Sequence, residues 1–186
     1  RFHLRAQGAM AEHQGLEVAR SILLEMERFY PDDKEMLYDI GDYSSHINEF
    51  PQAVQYLERV IAMDPDFARA LQHMARVYRD MGRRGPFLEW AKRYAAADSV
   101  WDSYILLGNA LVAGGDAAAG IATLERGRAV APDHAFDFGM FIARTHLYQG
   151  RLGEGRSALD GLVAAASTPA ARGGALRERA LGRVHQ

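Results

Sequence analysis

The stretch KEMLYDIGDYSSHINEFPQAVQYLERVIAMDPDF, residues 34–67, contains near its end the dipeptide Pro65-Asp66, which also stands at Pro31-Asp32 and at Pro132-Asp133. The interval from Pro65 to Pro132 is close to twice the interval from Pro31 to Pro65. Leu57-Glu58-Arg59 returns after the same double interval as Leu124-Glu125-Arg126. A fixed period of this size, about 34 residues, is typical of stacked structural repeats, whose function lies on a surface more often than in a catalytic pocket.

Inside this stretch, apolar and small residues recur at spacings of three, four and seven. Such spacing predicts two consecutive helices, each with one apolar stripe. The stripe positions are Leu37, Ile40, Gly41 and Ser44, then Ala53 and Leu57, and the same spacing returns as Tyr104, Leu107, Gly108 and Leu111, then Gly120 and Leu124. The sequence therefore predicts an all-α fold.

This pattern resembles the tetratricopeptide repeat (TPR) family, whose consensus reads W-x2-L-G-x2-Y, then A-x3-F, then P. The resemblance covers residues 1 to about 168 and implies a right-handed α-solenoid of five helix pairs in a single repeat domain, 1–186. The units are about 1–33, 34–67, 68–100, 101–134 and 135–168. Residues 170–186 read as an amphipathic helix after a break at Gly173-Gly174. We favour a capping helix there over the first helix of a truncated sixth unit.

Individual positions also carry local predictions. Four small residues are expected where the two helices of a unit cross, because a larger side chain would separate the axes: Gly41, Ala75, Gly108 and Ala143. The third unit reverses its small and large positions, with Phe87 and Ala91 conserving the total volume. Asp66, Asp116 and Asp133 are expected to cap the helices that follow them. Gly150, Gly153 and Gly155 should soften the fifth unit, because an interior glycine costs about 0.5–1 kcal/mol relative to alanine.

Composition excludes several classes of function. The net charge of −2 over 186 residues offers no surplus of cations for a nucleic-acid scaffold. The absence of cysteine excludes disulfides, thiolate nucleophiles and cysteine-ligated zinc. No apolar run approaches the roughly 20 residues that span a bilayer. The chain begins at Arg1 rather than at a methionine, so we expect a fragment of a longer protein. We also expect a bacterial protein and a cytoplasmic location.

Candidate chemistry is weak. The seven histidines show neither an HExxH motif nor a His-x3-His spacing. His46 and His73 fall on first helices of adjacent units and could approach each other, but ordinary groove or surface histidines are the favoured interpretation. The acidic pairs near the turns are better explained by helix capping than by acid–base catalysis. We therefore expect no enzyme activity, no metal and no cofactor.

In TPR proteins, the first helices line a concave groove that holds an extended peptide or a partner helix. By resemblance, the residues after the small positions face this groove, as do residues one turn before and one turn after. The predicted groove residues are Tyr38, Asp42, His46, Gln72, Arg76, Arg79, Ile105, Asn109, Met140, Arg144 and Tyr148. They do not match the two-lysine, two-asparagine carboxylate clamp of chaperone-binding TPR domains, since Asn109 alone stands at a clamp-like position.

The sharpest form of this prediction is a row of donors, Arg76, Asn109 and Arg144, that holds an acidic peptide or one presenting backbone carbonyls. The alternative is that the arginines pair with Asp42, Asp80 and Asp137 and bind nothing. At the level of the whole protein, the first hypothesis is a protein-interaction scaffold. The others are a regulatory or substrate-recruiting module of a larger enzyme or signalling protein, and a module that forms homodimers through the solenoid ends.

Overall fold

The computed structural model describes residues 15–184, apart from the side chains of Leu16 and of residues 181–184. Ten α-helices and one short 3-10 helix make up the described range, which contains no strand. The predicted all-α fold is therefore confirmed. The helices are α1 (Leu16–Glu27), α2 (Lys34–His46), α3 (Phe50–Met63), α4 (Ala68–Asp80), α5 (Arg84–Ala97), α6 (Trp101–Ala113), α7 (Ala117–Val130), α8 (Ala135–Tyr148), α9 (Leu152–Ala165) and α10 (Pro169–Val184), with the 3-10 helix Pro132–His134 before α8. The predicted first helix of the first repeat, about 1–33, falls largely in residues 1–14, outside the described residues.

The chain divides into two compact units, residues 1–98 and 99–186. In the first, α2 pairs with α3 and α4 pairs with α5, while α3 also packs on α4. Fully buried side chains form its core: Leu37, Ile40, Leu57, Val60, Leu71 and Met74. Full burial of each such side chain stabilises the fold by about 1.5–3 kcal/mol.

The second unit repeats the arrangement, with α6 paired with α7 and α8 paired with α9. Its core has two clusters. Ile105, Leu124, Phe138 and Ile142 form one between α6, α7 and α8. Met140, Ala143, Leu159 and Ala175 form the other between α8, α9 and α10.

Each of the four helix pairs turns through one residue with a positive φ. These residues are Asn48, Gly82, Gly115 and Gly150, with φ values of 63°, 69°, 98° and 72°. Glycine and asparagine tolerate this left-handed conformation better than other residues do. Gly150 is therefore a turn residue rather than the helix-interior glycine that we expected.

The predicted helix crossings are confirmed. Gly41, Ala75, Gly108 and Ala143 are all buried. A Cβ atom on Gly108 would lie 2.7 Å from Cγ of Leu124 and 3.2 Å from the carbonyl oxygen of Gly120. In the third predicted repeat, 68–100, the reversed pair is also in the core, since Phe87 and Ala91 are both buried.

The capping predictions are right at one aspartate and wrong at two. Asp116 caps α7 by accepting from the backbone NH of Ala119 at 3.0 Å. Asp66 and Asp133 cap nothing, because the N-cap lies two residues after each proline and the aspartate only one residue after it. That position holds Phe67 before α4 and His134 before α8. Before α2 it holds Asp33, which accepts from the backbone NH of Met36 at 3.1 Å.

The predicted break at Gly173-Gly174 is wrong, because α10 runs without interruption from Pro169 to Val184. The Thr168 hydroxyl accepts from the backbone NH of Ala171 at 3.1 Å, and Pro169 is suited to a first helical position, so the helix begins before the glycines. This helix packs on α9 and, less extensively, on α8, as α8 packs on α7 and α6. It therefore lies where the first helix of a further unit would lie.

Candidate functional site

In the first unit, the predicted groove residues lie on α2 and α4, the first helices of two neighbouring pairs. Tyr38 is only 6 % exposed, although its position in the helix predicted an outward ring. Its ring meets Phe67 and His73 edge-on, and the guanidinium of Arg69 lies 4.6 Å from the ring centre. Tyr38 thus joins the two helices and presents little free apolar surface.

The Tyr38 hydroxyl contacts a polar cluster that consists of Asp42, His46 and His73. The hydroxyl oxygen lies 3.0 Å from Nδ1 of His73. Nε2 of His73 lies 2.7 Å from Oδ1 of Asp42, and Nε2 of His46 lies 3.3 Å from the same oxygen. His46 and His73 therefore do approach each other, with Asp42 between them.

The electrostatics of this cluster follow from burial and from the surrounding cations. Burial alone would raise the pKa of Asp42, but its contact with His73 and the charges of His73, His46 and Arg76 outweigh that effect, so the pKa lies below its usual value. Burial, together with the negative charge of Asp42, raises the pKa of the Tyr38 hydroxyl. The cluster thus favours a charged carboxylate beside a neutral phenol.

The predicted residues of α4 are already engaged. Nε2 of Gln72 lies 3.5 Å from the hydroxyl oxygen of Tyr94. Arg79 is exposed and donates to Asp80 at 2.8 Å. Arg76 is half-buried, and its charge acts on both Asp42 and Tyr38. Of the predicted alternative pairs, an arginine thus pairs with Asp80 in this unit, whereas Arg76 acts on Asp42 through its charge.

In the second unit, two of the predicted groove residues belong to the core. Ile105 is 6 % exposed and packs with Leu124, Phe138 and Ile142. Met140 is 9 % exposed and packs with Ala143, Leu159 and Ala175. Neither side chain is available as an apolar contact for a partner.

The other three residues of the second unit differ in availability. Asn109 is half-buried and makes no side-chain hydrogen bond within the part of the chain that the structure describes. Arg144 donates to Glu178 of α10 at 2.5 Å. Tyr148 is 85 % exposed at the end of α8. Asp137, the expected partner of Arg144, instead lies 3.4 Å from Nδ1 of His134.

Sequence reasoning left three contributing residues out of the predicted site: Arg69, His73 and Glu178. The repeat period contains a signal for two of them, since Glu178 follows Arg144 by 34 residues and Arg69 follows its ion-pair partner Glu35 by 34 residues. Residues one period apart on first helices therefore face each other. His73 was expected only as a possible neighbour of His46, and it fits the same spacing, because it follows Asp39, on the same turn as Asp42, by one period.

A separate concavity of about 640 Å³ lies between α7, α8 and α9. Its walls include the ion pair of Glu125 and Arg128, together with His146 and Glu154. None of the predicted groove residues lines it.

No helix in the described range is both long enough and apolar enough to cross a bilayer.

The tetratricopeptide repeat family model matches residues 34–67. No curated protein matches the chain in sequence. Among solved structures, residues 41 to the end of MamA from Desulfovibrio magneticus RS-1 are 17 % identical, with a TM-score of 0.77 over 86 % of this chain and 90 % of that one. A thermophilic TPR protein of Thermus thermophilus is 14 % identical, with a TM-score of 0.70 over 98 % and 97 % of the two chains.

YrrB, described as a TPR protein with an unusual peptide-binding site, is 16 % identical, with a TM-score of 0.62 over 74 % of this chain and 71 % of its own. These likenesses show a shared fold, the all-α TPR solenoid that the sequence predicts. The family model thus matches one repeat, residues 34–67, and the chain shares the TPR fold over the greater part of its length.

Proposed function

We propose that the protein is an interaction scaffold whose first helices bind an acidic peptide or partner segment. The TPR fold supports a role in protein interaction in general. One of its structural neighbours is described by its peptide-binding site. The choice of an acidic ligand comes from the side chains of this chain.

The observation that carries the proposal is the contact between Arg144 and Glu178. Arg144 stands directly after Ala143, the small residue of its first helix. Its guanidinium donates a hydrogen bond to the carboxylate of Glu178 on the neighbouring helix α10. This is an intramolecular instance of the contact predicted for a partner. Arginine suits the role because its planar fork of donors matches carboxylate geometry.

In the first unit, Arg76 occupies the equivalent position on α4 and is half-buried. In the second unit, Asn109 occupies it on α6. We propose that each, within its own unit, presents donors to an acidic side chain or to a backbone carbonyl. In the second unit, the exposed ring of Tyr148 adds apolar contact area. Asp42 and His46 supply the acceptor side of the surface in the first unit.

Binding of fluorescein-labelled acidic peptides, followed by fluorescence polarisation, tests the proposal. Arg76→Ala should weaken binding by about 30-fold, the equivalent of roughly 2 kcal/mol, if Arg76 is a hot spot. Lys92→Ala is the matched control, because it removes one positive charge from an exposed position on α5, a second helix. Equal affinity for the Arg76→Ala and Lys92→Ala variants would move the binding site away from the first helices.

A second candidate function, self-association, is favoured by large apolar side chains at the ends of α1 and α3. Phe29, Tyr30 and Met63 are 65 %, 55 % and 47 % exposed. Sedimentation over a range of concentrations would separate a dimer from a monomeric scaffold. The cytoplasmic location, the place within a larger enzyme and the single-domain organisation stay predictions.

A further inference from the structure

Three side chains with metal-binding atoms converge in the first unit. Asp42 and His46 are one helical turn apart on α2, and His73 reaches them from α4. The carboxylate oxygen and the two imidazole nitrogens all lie within 4.8 Å of one another. Against the expectation from the sequence, we propose that Asp42, His46 and His73 bind a divalent transition-metal ion.

The distances match those that a metal ion requires. Zinc binds imidazole nitrogen and carboxylate oxygen at about 2.0–2.2 Å, so two ligands of a tetrahedral ion lie roughly 3.3 Å apart. The Asp42 oxygen lies 3.3 Å from Nε2 of His46 and 2.7 Å from Nε2 of His73. Small side-chain movements therefore suffice to surround an ion.

His73 is held in the orientation that a ligand needs. Its Nδ1 lies 3.0 Å from the backbone carbonyl oxygen of Arg69, and donation of the Nδ1 proton to that oxygen leaves Nε2 with a free lone pair. A ligand histidine that is fixed through its other nitrogen is the usual arrangement in metal sites. The opposite tautomer, with Tyr38 donating to Nδ1, would instead make His73 and Asp42 a plain hydrogen-bonded pair.

The Asp42 carboxylate adds to this argument. Its Oδ1 is shielded from solvent, and Nε2 of His73 and Nε2 of His46 lie close to it. When the His73 proton is on Nδ1, the lone pair of Nε2 faces this oxygen and donates nothing to it, and a buried oxygen without a donor is costly. A bound cation would satisfy both atoms.

The cluster is not part of the packing shared by the repeats. The positions that recur in every 34-residue repeat are small or apolar. The residues one repeat after Asp42 and His73, by contrast, differ from them chemically. In the next 34-residue repeat Arg76 occupies the position equivalent to Asp42, and in the repeat after that Leu106 occupies the position equivalent to His73. The three ligands therefore meet in one pair of neighbouring first helices.

The surroundings define the ion and the strength of its binding. Two imidazoles and one carboxylate suit zinc, nickel, copper or iron better than calcium or magnesium. His46 is 59 % exposed, which leaves a path from solvent, whereas His73 and Asp42 are 13 % and 19 % exposed. The positive charge of Arg76 opposes the binding of a dication, and the negative charge of Asp39 on α2 favours it.

Isothermal titration of the protein with Zn²⁺ provides the test. We expect saturable one-to-one binding, and Co²⁺ should give the visible absorption bands of a low-coordinate nitrogen and oxygen site. His46→Gln should weaken Zn²⁺ binding at least about 10-fold, and His73→Gln should do the same. His46 is the safer position for folding because it is exposed.

His134→Gln is the control, since His134 stacks on Trp101 in the second unit and should leave the affinity unchanged. Circular dichroism verifies that each variant is folded. If no saturable binding is seen, or if both His46→Gln and His73→Gln bind Zn²⁺ as tightly as the original chain, the proposal is wrong.

Discussion

Arg144 and Glu178 are joined at 2.5 Å across the interface between α8 and α10, with side chains that are 39 % and 21 % exposed. The pair places a carboxylate on the arginine that the sequence predicted to be a groove donor. This contact shares its spacing of one period with the ion pair of Glu35 and Arg69 in the first unit, although the order of the two charges is reversed and the residues stand at different positions of their helices. Arg144 is thus unavailable to a partner while α10 is docked.

Glu178→Gln should release Arg144 and strengthen the binding of an acidic peptide. The loss in the free energy of unfolding should be no more than about 1 kcal/mol, because both side chains are partly exposed and the fully buried Ala175 still anchors α10. Thermal melting and fluorescence polarisation measure the two effects. Glu58→Gln, at an exposed position on α3, is the control. Equal affinity of the Glu178→Gln and Glu58→Gln variants for the peptide would show that Arg144 does not contact it.

Gly108→Leu should be among the most destabilising single substitutions. Even its Cβ would lie 2.7 Å from Cγ of Leu124 and 3.2 Å from a backbone oxygen, so the paired helices must separate. We expect a loss of roughly 1–3 kcal/mol by chemical denaturation. Gly153→Ala is the matched opposite, because no atom lies within 4 Å of a Cβ there, and the variant should gain about 0.5–1 kcal/mol. An unchanged melting temperature for Gly108→Leu would contradict the helix crossing.

The repeat period predicts the fold well because it acts through packing that every unit shares. Gly41 and Gly108 are buried at crossings as expected, and Phe87 and Ala91 exchange roles as their volumes suggest. Caps are harder to predict, since one residue of offset decides whether an aspartate reaches the free backbone NH groups. For that reason Asp116 caps a helix and Asp66 does not.

The candidate site is predicted less well, because position in a helix does not state what the neighbouring helix covers. Ile105 was assigned to the groove, yet Phe138 and Ile142 of α8 bury it. Tyr38 has an outward position on α2, but Phe67 and His73 enclose its ring. The burial of both side chains is caused by residues about one period later in the chain. The sequence of the helix that carries Ile105 or Tyr38 does not contain this information.

The stability of the first unit should depend on pH through Glu27. Burial raises the pKa of Glu27, but hydrogen bonds from Tyr56 and Arg59 outweigh it, so the folded pKa lies below 4.5. The unfolded chain then binds more protons in this window, and stability increases with pH. The contribution is present above about pH 4.5 and is lost as pH falls through the folded pKa.

Glu27→Gln should therefore be less stable than the original chain at neutral pH and should show a shallower loss of stability on acidification. Urea denaturation at a series of pH values measures both. Glu58→Gln serves again as the control for a carboxylate on the surface. Parallel curves for the original chain and Glu27→Gln would exclude this ionic network as a source of acid sensitivity.

Ile105 and Tyr148 are both predicted groove residues, but substitution of Ile105 should affect stability, whereas substitution of Tyr148 should affect peptide binding. Ile105 is 6 % exposed within the cluster of Leu124, Phe138 and Ile142, so Ile105→Ala removes buried apolar surface and leaves a cavity. We expect a loss of about 2–5 kcal/mol, measured by urea denaturation. Tyr148 is 85 % exposed, and Tyr148→Ala should change stability by less than about 0.5 kcal/mol while weakening peptide binding. A destabilised Tyr148→Ala, or a fully stable Ile105→Ala, would reverse the assignment of core and surface on these first helices.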